Sequence, residues 1–159
     1  MFTKYSEKIN DILSKTNSSE NVVYSKINDV LMPTSDVTPR GLATASCINE
    51  NGIILGGDIL IIRFNKNIDG VYFSYFITDN KEEVLKYVSG STVYHLYGSE
   101  LKNLDFTFPS LNKQQEIAEI LSSMDLEIES LENRLQKARQ LKQGMMQDLL
   151  TGKVRLIEN

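Results

Sequence analysis

Side chains that commonly do chemistry are sparse in this sequence. Among its 159 residues, His95 is the only histidine and Cys47 the only cysteine. A lone histidine makes no metal site, and His95 has no evident acid–base partner, so catalysis is its least expected role. A lone cysteine excludes a disulfide framework and a multi-cysteine metal site. We therefore expect Cys47 to be a small buried hydrophobic residue.

The glycines form no cofactor-binding motif. Gly56-Gly57-Asp58 lacks the downstream glycine and lysine that phosphate-binding loops require, so we expect a turn there. Because no nucleophile–base pair and no metal cluster emerges, we predict that the chain is not an enzyme by itself and uses no cofactor. A small hydrolase built on His95 is the weakest alternative.

Three stretches carry residue types suited to contacts with nucleic acid. The first, residues 34–40, presents hydroxyl groups and one arginine on a loop stiffened by Pro39. The second stretch, with Arg63 and Lys66, follows a predicted strand. The third, residues 89–95, combines small residues with the rings of Tyr94 and His95. Hydroxyls, arginine and backbone N–H groups suit phosphates and base edges, and a tyrosine ring can stack. The predicted DNA-binding residues are Thr34, Ser35, Thr38, Arg40, Arg63, Lys66, Ser89, Gly90, Ser91, Thr92, Tyr94 and His95.

Each of these stretches also has a purely structural interpretation. The first can be a capped turn with a solvated arginine, the second a pair of surface cations, and the third an ordinary helix-to-strand connection. The net charge of −4 also counts against a free-standing DNA-binding protein, because phosphate neutralisation needs clustered Lys and Arg. Either a local patch or a partner must then supply the positive charge.

The elements around these stretches predict an α+β fold. Residues 22–32 and 42–64 form short apolar runs separated by turn signals, which predict strands, whereas residues 33–41 predict an ordered loop. Residues 70–88 predict two short helices whose adjacent aromatic residues lie in the core. Residues 104–109 predict a last strand, ended by a proline. We expect a small β-rich domain with short helices over residues 1–110, followed by a long helix and tail over 111–159.

The long helix is the clearest element of the sequence. From Asn112 to Thr151 there is no proline and one glycine, Gly144. Asn112 can cap the helix with Gln115 reaching back, and Gly152 can end it. At 1.5 Å per residue, this predicts a coiled-coil helix of about 60 Å.

An apolar stripe with a repeat of 3.5 residues follows this helix, which is typical of a coiled-coil seam. Lys142 is the one polar position in it. The predicted interface residues are Ile117, Leu121, Met124, Ile128, Leu131, Leu135, Ala138, Met145 and Leu149. The alternative is a helix packed along its own domain.

Charge is segregated along the same helix. Residues 112–133 carry one base against six acids, and residues 134–155 carry six bases against one acid. Part of this pattern complements the helix macrodipole. Two copies laid antiparallel would also match along their whole length, whereas parallel copies would oppose like charges. We therefore expect an antiparallel homodimer.

The stretches "PSLNKQQEIAEIL" and "LKQGMMQDLLTGKVRL" closely resemble the C-terminal repeat of DNA-specificity subunits of type I restriction–modification systems. "NDVLMPTSDVTPRGLA", "VYFSYFI" and "SGSTVYHL" resemble more variable features of that family's target-recognition domain. The resemblance covers roughly residues 22–156 and is to half of a subunit, with one domain and one helix. Lys113 departs from the acidic residue that is common at its position.

The resemblance implies a known arrangement. A full specificity subunit holds two target-recognition domains apart with two antiparallel helices, reads a split DNA site and docks methyltransferase (modification) subunits. A restriction subunit can join such complexes, and DNA contacts are expected near residues 89–95. The chain itself lacks the Asn/Asp-Pro-Pro-Tyr/Phe segment of adenine methyltransferases. A natural half-subunit, a truncated product and an engineered fragment are all compatible with the sequence.

Two functions therefore stand beside each other. The first is double-stranded DNA recognition by a homodimer that reads a symmetric split site. The second is a truncated coiled-coil assembly module that binds methyltransferase subunits without reading DNA. No apolar run approaches the roughly 18 residues of a membrane span, and "MFTKYSEKINDILSK" is too polar for a secretory signal. We expect a soluble, cytoplasmic protein with no membrane partner.

Overall fold

The computed structural model describes residues 6–9, 22–64 and 67–154. These described residues divide into two units, the first ending at Glu119 and the second beginning at Ile120. It confirms the α+β class. The strands of the described residues are β1 Lys8–Ile9, β2 Val23–Tyr24, β3 Asp29–Pro33, β4 Ser35–Asp36, β5 Ser46–Ile48, β6 Ile54–Leu55, β7 Ile59–Ile62, β8 Ser89–Gly90 and β9 Tyr94–His95. The helices are α1 Pro39–Leu42, α2 Gly70–Asp79, α3 Lys81–Leu85, α4 Gly98–Leu101 and α5 Leu111–Leu150.

The strands of the described residues form three small sheets. The largest has the order β1-β5-β3-β7, in which β1 and β5 run parallel and the other neighbours antiparallel. β2 pairs with β6, and β4, β9 and β8 form a three-stranded antiparallel sheet. Of these sheets, only the four-stranded one is mixed, because the parallel pair β1 and β5 is joined by a long connection that contains other elements.

Helix α2 packs against β5 and β3 to build the core of the first unit. Its start is fixed locally, since the Asp69 carboxylate accepts a hydrogen bond from the backbone N–H of Tyr72. Apolar side chains from sheet and helices meet there, Cys47 among them, which confirms the prediction for that residue. The core is formed by Val30, Met32, Leu42, Ala43, Ala45, Cys47, Val71, Phe73, Ile77, Val84, Leu96 and Ala118.

Two local predictions were wrong. Residues 33–41 are not a loop throughout, because Ser35–Asp36 pair as β4 and Pro39 starts the short helix α1 with Thr38 as its N-cap. Residues 104–109 have no regular secondary structure. Their alternating apolar residues pack on α2 instead of pairing in a sheet, with the rings of Phe106 and Phe108 lying 4.6 and 5.2 Å from that of Phe76.

The long helix α5 is confirmed, with 40 residues from Leu111 to Leu150. It begins one residue before the predicted cap, since the Gln114 N–H already donates to the Ser110 carbonyl. Gly152 follows its end with a φ of 72°, a left-handed conformation that glycine adopts freely. Most of residues 1–20, where the sequence has a weak helical pattern, lie outside the described residues.

Candidate nucleic-acid interface

The three-stranded sheet brings together two of the predicted DNA-binding stretches. In its register, β4 pairs with β9 so that Ser35 lies opposite His95 and Asp36 opposite Tyr94. On the other edge of β9, Ser89 lies opposite His95. Thr34 extends the join, because its carbonyl accepts a hydrogen bond of 3.0 Å from the N–H of Leu96. Residues 34–40 and 89–95 therefore form one surface.

The two faces of this sheet differ in environment. Residues directly opposite each other in an antiparallel pair share a face, and successive residues alternate. Tyr94 packs against the hydrophobic core and Leu96 is fully buried, so this face is turned inward. Ser35, Ser89 and His95 consequently lie on the outward face.

The outward face continues beyond the paired residues. Val37 and Val93 stand one step further along the same register, and their side chains are 76% and 44% exposed. Tyr97 is 55% exposed, and its ring stacks on that of His95 with centroids 6.1 Å apart. We call the set of Ser35, Val37, Ser89, Val93, His95 and Tyr97 the outer sheet face.

The outer sheet face contains both polar and apolar recognition chemistry. Its hydroxyls and imidazole can exchange hydrogen bonds with phosphates or base edges, and its valines can contact the methyl group of thymine. Sequence reasoning missed Val37, Val93 and Tyr97. The alternation of residues 93, 95 and 97 is a signal for Val93 and Tyr97, whereas Val37 joins them only through the register of β4 and β9.

Gly90 shapes the hairpin that joins β8 and β9. Its φ is 125°, and a Cβ at this position would lie 2.2 Å from the carbonyl oxygen of Val93. Glycine is therefore required there. The hairpin tip, Ser91 to Val93, is exposed as a result and carries the hydroxyls of Ser91 and Thr92.

A compact turn joins β4, at the opposite edge of the sheet from β8, to α1. Asp36 Oδ1 accepts hydrogen bonds from the backbone N–H and the hydroxyl of Thr38, at 2.7 and 2.8 Å. A Cβ on Gly41 would lie 2.5 Å from the Asp36 carboxyl group, so glycine leaves room for that carboxylate. The Thr38 hydroxyl already serves this turn, since it also accepts from the Gly41 N–H.

Arg40 is the cation within residues 34–40. It stands on α1 with an exposed side chain, and its Nη2 lies 3.4 Å from Glu82 Oε1, which is equally exposed. An ion pair in solvent contributes little stability, so a phosphate can compete for this guanidinium.

Arg63 lies elsewhere, directly after β7 of the four-stranded sheet. Its Nε and Nη2 donate to Asp29 at 2.8 and 2.9 Å, and Nη2 also donates to the Tyr24 carbonyl at 2.7 Å. Asp29 is 1% exposed, and its hydrogen bonds with Arg63 raise the pKa of that arginine. The structure does not bring Arg63 to the three-stranded sheet. Lys66 lies outside the described residues.

The predicted seam on α5 is exposed within the single chain. Its large side chains from Met124 to Leu149 are each at least two-fifths exposed. Ile117 is partly exposed, whereas Ala118 beside it packs into the core of the first unit. An exposed apolar stripe of this length is unusual for an isolated soluble helix.

Other kinds of site are not found in the described residues. No three His, Cys, Asp or Glu side chains of this part of the chain are grouped as a metal site. In the same ranges, no helix combines the length and apolar character needed to cross a bilayer. An open cavity of about 660 Å³ lies between β7 and residues 98–108, and is lined mainly by leucine, isoleucine and phenylalanine side chains.

Comparison with known proteins places the chain in a family. Residues 4–140 match the type I restriction modification DNA specificity domain. The chain belongs to this family, which confirms the resemblance seen in its motifs.

Two curated relatives come from Methanocaldococcus jannaschii. The chain is 31% identical over 103 residues to the provisionally named MjaX specificity subunit of a type I restriction enzyme. It is 25% identical over 104 residues to the type I restriction enzyme MjaVIII specificity subunit. These matches cover 62% and 65% of this chain and 24% of each relative, so the chain spans about a quarter of the relatives' length.

A solved structure shares the fold. The crystal structure of the S subunit of a type I restriction–modification system from M. genitalium matches with a TM-score of 0.61 and 18% identity. The match covers 93% of this chain and 38% of that one. The mixed sheets, short helices and long C-terminal helix are therefore the fold of a specificity subunit.

Proposed function

We propose that this chain is a sequence-specific DNA-recognition subunit of a type I restriction–modification complex. The observation that carries the proposal is the outer sheet face, on which two stretches distant in sequence present hydroxyls, rings and exposed valines together. Family membership supports the same class of function. Thr34, Ser35, Thr38, Arg40 and residues 89–95 lie on or beside this face and are the proposed DNA contacts. Lys66 stays a predicted phosphate contact, whereas Arg63 is already engaged by the buried Asp29.

The second part of the proposal is an antiparallel homodimer through α5. The exposed apolar stripe supports it, as does the segregation of charge into an acidic half and a basic half. Burying this stripe against a second copy would remove apolar surface from water along the whole helix. Two identical recognition units related by a two-fold axis would read the two halves of a symmetric split site.

The third part concerns partners. With a net charge of −4, the chain needs additional cations close to DNA, and methyltransferase subunits docked on the helices would supply them. The methyl-transfer chemistry would then reside in those partners in the cytoplasm, and this chain would direct it without catalysing it.

A methylation assay with the chain and its methyltransferase subunits tests the DNA contacts. Arg40→Ala and the double change Ser91→Ala with Thr92→Ala should each weaken specific methylation about tenfold, the effect of losing one good polar contact. Lys26→Ala, which removes an exposed cation outside the proposed DNA contacts, is the matched control and should leave it unchanged. Unaltered rate and sequence preference in both variants would rule out this surface.

A gel-shift experiment separates the second candidate, an assembly module that does not read DNA. The exposed stripe of α5 favours that function too, because it supports assembly without any DNA contact. In the presence of methyltransferase, DNA recognition predicts a shift that depends on the DNA sequence. A complex that assembles but shifts all sequences equally would favour the assembly module.

A further inference from the structure

Gln114 is a buried glutamine in the first turn of α5. It is 1% exposed, although glutamine is usually found at the protein surface. Its neighbour Gln115 has the same side chain and is exposed. The pair therefore offers one glutamine used by the fold and one left in solvent.

The side chain of Gln114 is fully engaged with backbone groups of the first unit. Its Oε1 accepts a hydrogen bond of 2.9 Å from the N–H of Asp69, the residue that caps α2. Its Nε2 donates to the carbonyl of Asn67 at 3.0 Å and to that of Pro109 at 2.9 Å. One amide group thus links the turn before α2, the segment before α5 and the first turn of α5.

The backbone beside this link adopts an unfavourable conformation. Asn67 has a φ of 67°, which is uncommon for a residue other than glycine. Without Gln114, one N–H and two carbonyl groups would lose their partner, and Asp69, which supplies the N–H, is only partly exposed to water that could replace it. Ala118, one turn further along, packs into the core. Gln114 and Ala118 therefore fix the first two turns of α5 within the first unit, which is the proposed recognition unit.

We propose that Gln114 is a positioning residue that makes the protein strict about the length of DNA between its two half-sites. This inference rests on the proposed function. A dimer reads a split site only if each recognition unit keeps a constant orientation on its helix. A change of about 6° in that orientation moves a point about 30 Å away by about 3 Å, nearly one base-pair step of 3.4 Å. A loosened link therefore widens the range of accepted spacers without altering the bases read in each half-site.

The test uses a DNA library in which the half-sites are constant and the spacer between them varies one base pair at a time. The full chain with its methyltransferase subunits should methylate one spacer length well above its neighbours. Gln114→Met keeps the side-chain volume but removes all three hydrogen bonds. It should lower that preference about tenfold, the effect of about one lost buried hydrogen bond, while the half-site bases stay the same. Gln115→Met is the matched control and should keep the wild-type preference.

A folded Gln114→Met variant with wild-type spacer strictness would overturn the inference, as would an equal effect of Gln115→Met. If Gln114→Met does not fold, Gln114→Asn is the second variant, because it keeps an uncharged amide but is one methylene too short to reach all three partners. It should widen spacer tolerance in the same direction, and unchanged strictness there would overturn the inference too. Failure of the wild-type complex to methylate any member of the library would instead contradict the proposed function.

Discussion

At the scale of single residues, Arg63 shows what the sequence can predict about a side chain and what it cannot. An arginine that follows a strand has the chemistry of a phosphate contact, and this much can be predicted. The sequence does not show that β3 pairs with β7, which brings the guanidinium to Asp29, a residue 34 positions earlier. Because the Asp29 carboxylate is buried, its charge needs the Arg63 guanidinium as a partner.

This contact gives a prediction for stability. Arg63→Met should lower the melting temperature by several degrees, because it leaves the buried Asp29 carboxylate without its cation. Arg63→Lys should recover part of the loss, since a single ammonium cannot reproduce the two parallel hydrogen bonds. Thermal unfolding monitored by circular dichroism measures both. Unchanged melting in Arg63→Met, together with a loss of DNA binding, would show that Arg63 is a DNA contact and not a structural one.

Cys47 could be predicted as buried because a lone cysteine has no other evident role, but its ionisation depends on its neighbours. Burial raises the pKa of its thiol from 9.0 to about 12, and the nearby charge of Asp69 adds to the effect. Between pH 9.0 and about 12, the thiol therefore stays protonated in the folded chain while it ionises in the unfolded chain. Its contribution to stability is fully present below pH 9 and is lost as the pH rises from 9.0 to about 12.

The pH dependence is measurable by urea unfolding. Between pH 9 and about 11, the free energy of unfolding should fall more steeply in the wild type than in Cys47→Ala, which lacks the thiol. Both proteins contain the same lysines and tyrosines, so the difference isolates the cysteine. Identical slopes for the two proteins would mean that the folded thiol ionises as easily as an exposed one.

At the scale of elements, local signals predicted more than long-range ones. The 40 residues of α5 lack proline, so the helix and its end at Gly152 could be predicted from neighbouring residues alone. Residues 104–109 alternate between apolar and polar as a strand does. Alternation shows that one side of a segment is buried, but it cannot show whether a sheet or a helix buries it. Here the aromatic face of α2 does so.

The outer sheet face was predictable only in pieces. Both stretches could be named from their hydroxyls, arginine and rings. Their pairing through β4 and β9 joins parts of the chain that are distant in sequence, and local chemistry does not indicate such pairings. The exposed valines were missed for the same reason, since Val37 and Val93 become neighbours only in the register of the sheet.

The β8–β9 hairpin carries a prediction at this scale. Gly90→Ala should abolish specific methylation, because the new Cβ would collide with the Val93 carbonyl and force the hairpin to change shape. The overall fold should survive, since the hairpin is exposed. Gly57→Ala is the matched control, because a Cβ there meets nothing within 4 Å. Normal methylation by Gly90→Ala would show that hairpin geometry does not matter for recognition.

At the scale of the whole molecule, the proposed assembly depends on the stripe of α5. Leu131 is on the predicted seam and Leu126 is off it, although both side chains are more than half exposed. Leu131→Lys should convert a dimer into a monomer, because it places a charge in the apolar seam. Leu126→Lys should leave the dimer intact. Sedimentation equilibrium measures the dimerisation of both variants. Equal dimerisation of the two would show that the predicted seam is not the dimer interface.

The orientation of the helices can be tested through their charge. An antiparallel pair matches the acidic half of one copy with the basic half of the other, so raising the salt concentration from about 0.05 to about 0.5 M should weaken the dimer. A parallel pair would be strengthened by the same change, since salt would screen its like charges. Sedimentation over this range of salt distinguishes the two.

The most direct test of the central claim is methylome sequencing of a host that carries this chain with its methyltransferase subunits. Two identical recognition units predict methylation at a symmetric motif, with two inverted half-sites separated by a spacer of constant length, and its loss when the chain is deleted. Methylation at an asymmetric motif, or a methylation pattern that persists without this chain, would contradict the account.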